Sequence, residues 1–319
     1  MDSNFILESW DEKNAGEIAE LWNRNFPECY RTNKALLMRK VVNDADLFTP
    51  GTFVCKKDGK IIGLIATKIS DNSLPEYQQT AWLSALLVDK PFRRNGFGSF
   101  FYQKAEHELK KHGIKTLLVA GEMDNFFSGI PNPTPESKHF FSKHGFVLND
   151  VNHYDLTADV SKIDFDSFPI KVNDTDEFVT RPMTQPDIPE IERFFSKEFP
   201  GRWKFEIMRH IREGGDFNHV LVLCRSTRVI GFCKVFVSHN VNSDFNTQLG
   251  ESWGSLGPIG ISEEVRGMGL GNRILRDSLK HLKALGAHNV NIDWTVLKDF
   301  YGQFGFVPWR TYLGAYKEI

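Results

Sequence analysis

Two stretches of the chain set an arginine and two glycines at the same spacing, Arg93-x-x-Gly96-x-Gly98 and Arg266-x-x-Gly269-x-Gly271, 173 residues apart. Each follows an apolar run, ending at Val88 or Ile261, and leads into a segment with helical spacing. A strand, a glycine-rich turn and a helix start together make a cradle for phosphate. Backbone N–H groups point into the turn, and the helix end carries partial positive charge. Glycine serves where the backbone must approach the anion closely or take positive φ. A dinucleotide site would need Gly-x-Gly-x-x-Gly, whereas the second turn reads Gly267-Met268-Gly269-Leu270-Gly271-Asn272. A Walker loop would need Gly-Lys-Ser/Thr, which the chain lacks. The histidines, among them His139, His144, His153, His281 and His288, show no metal-ligand spacing and read as surface or loop residues. Cys29, Cys55, Cys224 and Cys233 form no Cys-x-x-Cys pair and read as reduced thiols.

The elements that must carry these turns also repeat at the 173-residue offset. Ile6 aligns with Val179, Phe26-Pro27 with Phe199-Pro200, Tyr30 with Trp203, and Gly113 with Gly286. Such matched punctuation indicates a duplicated domain. Each half reads as a short strand (Phe5–Glu8; Phe178–Arg181), a helix (near Ala15–Trp22; near Asp187–Phe195) and a second helix (near Lys34–Val42; near Phe205–Arg212). A hairpin follows, turning at Asp58-Gly59 in one half and near Ser226-Thr227 in the other. The strand entering the glycine turn spans Trp82–Val88 or about Ser255–Ile261. The next helix shows Phe97, Phe101, Ala105 and Leu109, or Leu275, Leu279 and Leu282, and stops at Gly113 or Gly286. A further strand (Lys115–Ala120; Asn289–Trp294) and a last helix close each half at Gly145-Phe146 or Gly305-Phe306.

There the offset falls to 160, because the first half carries 13 extra residues within the Gly- and Pro-rich stretch from Gly121 to Ser137. That stretch reads as a loop, equally fit to shape a pocket or to lie in solvent. The expected organisation is a first domain over 1–158, an acidic linker over 159–176 and a second domain over 177–319, each a mixed α/β sheet.

Composition narrows the function classes. At 319 residues the chain fits two domains of roughly 150 residues. A net charge of −2 offers no basic footprint for nucleic acid. No apolar run nears the roughly 20 residues of a membrane span, and the acidic start does not read as a signal peptide, so a cytoplasmic location is expected. The 27 phenylalanines read as core.

The matching texts GPIGISEEVRGMGLGNRIL with FYGQFGF, and SALLVDKPFRRNGFGSFF with FFSKHGF, resemble the GCN5-related N-acetyltransferases, the GNAT superfamily. The resemblance covers nearly the whole chain, as two such domains in tandem. It implies a mixed sheet whose fourth and fifth strands splay apart around an acyl-CoA, with the pyrophosphate on the glycine turn. Amides of Arg93, Arg94, Asn95, Gly96, Phe97, Gly98 and Ser99 would hold one pyrophosphate. Arg266, Gly267, Met268, Gly269, Leu270, Gly271 and Asn272 would hold the other, with Arg93, Arg94 and Arg266 adding charge. Backbone groups of Leu86, Leu87 and Val88, and of Ile259, Gly260 and Ile261, would meet the pantetheine arm. One amide there would polarise the thioester carbonyl.

In many members a tyrosine five residues before the last Phe protonates the departing thiolate. That place is Tyr301 in the second half and Phe141 in the first. Asp293 and Glu251 are the candidate bases, acting through water, and Trp203, Trp253 and Trp294 are candidate acceptor walls. The resemblance thus implies acetyl-CoA as donor, no metal, and N-acetylation of a small-molecule amine by direct attack, with the second half catalytic and the first degenerate. A non-catalytic CoA-binding protein, or acyl transfer like that of the similarly tandem mycothiol synthases, are the alternatives. The oligomeric state, monomer or homodimer, stays open.

Overall fold

A computed structural model of the chain describes residues 5–71, 73–165, 173–238 and 246–319, with backbone only at 246–247. The first stretch runs β1 (Phe5–Ser9), α1 (Ala15–Asn25), α2 (Lys34–Leu37), β2 (Phe53–Lys57), β3 (Lys60–Ile69), β4 (Thr80–Val88), α3 (Phe97–Lys111) and β5 (Thr116–Val119). It continues through β6 (Ile130–Pro131), α4 (Pro135–Lys143) and β7 (Val147–Asp159). The second runs β8 (Phe178–Pro182), α5 (Ile188–Glu198), α6 (Arg202–Arg212), β9 (Val220–Arg225), β10 (Arg228–Val237), α7 (Asn246–Leu249) and β11 (Gly254–Ile261). It ends with α8 (Leu270–Ala284), β12 (Asn289–Thr295), α9 (Lys298–Gly302) and β13 (Val307–Glu318).

Two compact units result: Met1–Tyr154 with Arg310–Ile319, and Asp155–Trp309. The residues from Arg310 onward therefore belong to the first unit. Their ties explain why. β13 pairs antiparallel with β5, Tyr316 opposite Leu118, and with β6, Leu313 opposite Ile130. The Tyr30 hydroxyl donates to the Thr311 carbonyl at 2.7 Å and accepts from its amide at 2.8 Å. Lys317 Nζ lies 2.6 Å from Glu106 Oε1.

In the first unit the strand order is β1-β2-β3-β4-β5-β13; in the second it is β8-β9-β10-β11-β12-β7. Each is a mixed sheet: β4 with β5 and β11 with β12 run parallel, whereas β1–β2, β2–β3, β3–β4, β5–β13, β8–β9, β9–β10 and β10–β11 are antiparallel. The Asp58-Gly59 turn has φ of 51° and 76°, the left-handed pair a tight hairpin requires. Phenylalanines fill the cores as their number suggests. Phe53, Phe97, Phe101, Phe141 and Phe146 share one cluster, and Phe194, Phe195 and Phe232 another.

Two local expectations change. The second helix of the first half keeps α geometry only over Lys34–Leu37 and continues as a π-helical turn over Met38–Val42. The extra stretch after β5 is not a solvated loop. Phe126 and Phe127 are buried against Trp22, at ring-centroid distances of 5.1 and 5.4 Å, and Phe127 lies 5.9 Å from Tyr312. Aromatic burial outweighs the Gly and Pro content there, and two neighbouring phenylalanines were its signal.

Candidate functional site

The parallel pair at the centre of each unit holds together at one end and parts at the other. β4 pairs with β5 from Thr80–Thr116 to Leu83–Val119, after which β4 runs on to Val88 paired with β3 but not with β5. β11 pairs with β12 only at Gly254–Val290 and Ser255–Asn291. Beyond these contacts the two copies differ. Leu87 is buried, as are all β4 residues from Thr80 to Ala85. Every β11 residue from Gly257 to Ile261, by contrast, is half-exposed. A Cβ on Gly257 would sit 4.0 Å from Asp293 Oδ1, which puts that carboxylate across the gap where β11 and β12 part.

Both glycine turns take left-handed backbone just before a helix start. Arg94 and Gly96 take φ of 65° and 84°, Gly267 and Gly269 both 79°, and α3 and α8 begin directly after. Amides from Arg94 to Ser99 find no acceptor among the described residues, nor do those of Gly267, Gly269, Leu270 and Gly271. A row of free N–H groups at a helix start is a ready anion site. The turns are braced alike from the preceding helix. Asn25 Oδ1 accepts from the Lys90 amide at 3.2 Å, and at the matching position Glu198 Oε2 accepts from the Glu263 amide at 3.0 Å. These braces have no signature of their own in the sequence, although the 173-residue offset aligns Asn25 with Glu198.

The arginines are used differently. Arg93 Nε donates to the Val88 carbonyl at 2.9 Å and its NH2 group to Asn25 Oδ1 at 2.9 Å. Arg94 and Arg266 are exposed; Arg94 lends its charge to Glu136, and Arg266 makes no side-chain hydrogen bond or ion pair among the described residues. Beside Arg93, Asp89 takes Arg24 at 2.7 Å. Burial alone would raise the Asp89 carboxyl, but Arg24 and Asn25 hold it below its ordinary value.

Above the turns the copies diverge again. A Cβ on Gly98 would meet the Phe140 ring at 3.3 Å and Val88 at 3.8 Å. On Gly271 it would meet only Ile261, at 3.8 Å. Phe140 thus lies close over Gly98, whereas Gly271 has no aromatic ring so near, although Phe140 packs on Phe141 and His144 just as Phe300 packs on Tyr301 and Phe304. Other first-turn side chains are also committed: Phe97 packs on Phe5, Asn95 Nδ2 donates to the Arg93 carbonyl, and Ser99 Oγ meets His144 Nε2 at 2.9 Å. His144, in the turn that ends α4, is thus a half-buried partner of the glycine turn, and burial lowers its imidazole below the ordinary value. His153 is likewise half-buried, for strand β7 carries it inward. In the second turn Met268 is exposed, Leu270 is core and Asn272 is half-buried.

Tyr301 lies in α9, 5 % exposed, and its hydroxyl has no hydrogen-bond partner among the described residues. Burial raises its phenol well above the ordinary range, with Cys233 adding to the effect. Glu251 stands in the exposed turn before β11, six residues ahead of Gly257. Of the three tryptophans, Trp253 is core at 6 % exposure, whereas Trp203 and Trp294 are each 37 % exposed. The Trp294 backbone takes φ of 50°, which costs a bulky residue of order 1 kcal/mol. Among the described residues no group of His, Cys, Asp and Glu could hold a metal ion. No described helix is long and apolar enough to cross a membrane.

Sequence comparison matches this arrangement to the family model for GNAT acetyltransferases over residues 15–146 and again over 188–306. The chain belongs to the GNAT acetyltransferase family. Membership makes it an acyltransferase by class, one that works on acyl-CoA donors. No curated protein matches the sequence. Among solved structures it is similar to a GCN5-related glucosamine N-acetyltransferase region of a fungal multi-domain GH3 β-N-acetylglucosaminidase. That match has TM-score 0.84 and 22 % identity, over 99 % of this chain and 38 % of that longer one. It is similar to a GCN5-related N-acetyltransferase from Sphaerobacter thermophilus with TM-score 0.71 and 14 % identity, over 100 % of this chain and 96 % of that one. A tandem GNAT protein from the clavulanic acid biosynthesis pathway gives TM-score 0.64 and 14 % identity, over 99 % and 98 %. At these identities the likeness is one of fold, and it establishes the tandem GNAT architecture.

Proposed function

We propose that the second unit, Asp155–Trp309, N-acetylates a small-molecule amine with acetyl-CoA, and that the first unit is a closed copy that does not react. The observation that carries this reading is the open slot over Gly271, flanked by Tyr301, against a slot covered by Phe140 and flanked by Phe141. Free amides of Gly267, Gly269, Leu270 and Gly271, with the exposed Arg266, would hold the pyrophosphate. The half-exposed edge of Ile259, Gly260 and Ile261 would receive the pantetheine arm. The thioester supplies an activated acetyl group. Tyr301 gives its proton to the leaving thiolate, and Asp293, across the gap from Gly257, takes the proton of the incoming ammonium through water. Glu251, in the exposed turn three residues before β11 begins, is the second candidate for this base.

A thiol-release assay with acetyl-CoA and an amine panel tests the reading. The panel includes glucosamine, the acceptor named for the fungal region of like fold. Turnover is expected with at least one amine, and Tyr301→Phe lowers kcat by about 10²-fold or more. Full activity in Tyr301→Phe refutes the acid assignment.

A further inference from the structure

The end of the fifth strand turns through a left-handed residue in both copies, and the residue differs. In the first unit Ala120 and Gly121 take it, with φ of 55° and 76°; in the second the residue aligned with Gly121 is Trp294, with φ of 50°. Glycine takes this conformation freely, and tryptophan is the residue that gains least by taking it. The strain is not repaid by burial, since the ring stays 37 % exposed. The backbone is nonetheless held in place: the Trp294 amide donates to Oδ1 of the buried Asp155 at 3.2 Å.

One face of the indole is also held. The Arg202 guanidinium carbon lies 4.9 Å from the ring centroid, and Arg202 Nε donates to Glu206 Oε1 at 2.7 Å. Beside Arg202, the 37 %-exposed Trp203 packs on Phe199 at 5.0 Å and Phe232 at 5.9 Å. Phe199 in turn leans on β11, where only a glycine fits: a Cβ on Gly260 would stand 2.7 Å from its ring. The residue before Trp294 is Asp293, whose carboxylate faces Gly257 at the parting of β11 and β12. A strained, propped and half-open aromatic ring therefore belongs to the residue that follows the acid facing the slot, both at the open end of β12.

We infer that Trp294 and Asp293 form the acceptor subsite of the second unit, selecting a primary amine carried on a rigid ring with a flat C–H face. This rests on the function proposed above. The carboxylate attracts the ammonium, and the exposed indole surface covers the flat face of the ring. Arg202 is engaged by Glu206 and by the indole, so an acceptor carboxylate gains no cation from it. Hexosamines and cycloalkylamines share the required chemistry, and glucosamine and cyclohexylamine serve as separate arms of the test. Putrescine and glycine are the open-chain comparators.

Steady-state kinetics on the full chain should give a KM for one of the ring amines about tenfold or more below that for putrescine and glycine. Trp294→Gly, which relieves the backbone, should raise the ring-amine KM about tenfold, equal to roughly 1.4 kcal/mol, with kcat little changed. It should leave the calorimetric Kd for acetyl-CoA and the open-chain KM unchanged, and should not lower Tm. Trp294→Phe should restore most of the loss. An unchanged ring-amine KM, an equal effect on open-chain amines, or a fall in Tm accompanying the KM change overturns the inference. If another amine of the panel is acetylated and no ring amine is, the inference fails while the proposed function stands. If acetyl-CoA does not bind at all, the proposed function itself fails.

Discussion

Tyr301 and Phe141 hold the same place in the two closing helices and are buried alike, at 5 % and 7 % exposure, so a single hydroxyl distinguishes them. Burial keeps the Tyr301 proton in place throughout the neutral range. The pH profile of kcat should therefore show no alkaline fall from this group below about pH 10. A limb at lower pH that vanishes in Tyr301→Phe would contradict this. Residue-scale chemistry is partly legible in the sequence: the glycines, Arg266 and Tyr301 stand out by type and spacing. What spacing cannot reveal is which side chains are already engaged, such as Arg93 on Val88 and Asn25, because Asn25 lies far away in the chain. Asp46 shows the same limit in another way. Burial first, then the neighbouring Asp44 and Asp71, pushes its carboxyl up to about 6 from an ordinary 3.8. A raised carboxyl stays neutral in the fold while the unfolded chain ionises, so its contribution to stability falls as pH rises through that window. Asp46→Asn should thus raise Tm relative to the parent at pH 7.5 and change it little at pH 4, by thermal melts at both values. An equal gain at both would contradict the assignment.

Among the elements, those with a clear period are legible and those without one are not. β4 and α3 announce themselves through apolar runs and four-residue steps. β7, spelled VLNDVNHYDLTAD, alternates poorly, because its first residues are mostly exposed and only Asp155, Leu156 and Ala158 are fully buried. Its strand character comes from pairing, and pairing is invisible to local pattern. The stretch after β5 is ambiguous for a similar reason, since its glycines and prolines suggest solvent while its phenylalanines are buried. Glu122 anchors it. Lys68, fully buried on β3, places its ammonium 3.0 Å from Glu122 Oε1 and 2.8 Å from Asp44 Oδ2. Lys68→Met would leave two buried carboxylates without their cation, a loss of about 3–5 kcal/mol. Urea unfolding measures it, and a change below about 1 kcal/mol would mean that the stretch is held by its phenylalanines alone.

Over the whole molecule, the duplication seen at 173 residues is real in the fold, with two units of matching strand order and two braced glycine turns. The return of Arg310–Ile319 to the first unit is not legible, because the text after Gly305-Phe306 carries no sign of which β-strand it will join. Duplication followed by divergence explains the asymmetry between the copies. On the proposed reading the first copy has its slot closed by Phe140, with Phe126 and Phe127 buried nearby, whereas the second keeps its slot beside a strained Trp294 and a half-exposed β11. Calorimetric titration of the full chain with acetyl-CoA tests this most directly. One site per chain is expected, lost in Gly271→Leu, whose side chain would fill the space beside Ile261, and retained in Gly98→Leu. Two sites per chain, or one site that survives Gly271→Leu, would contradict it.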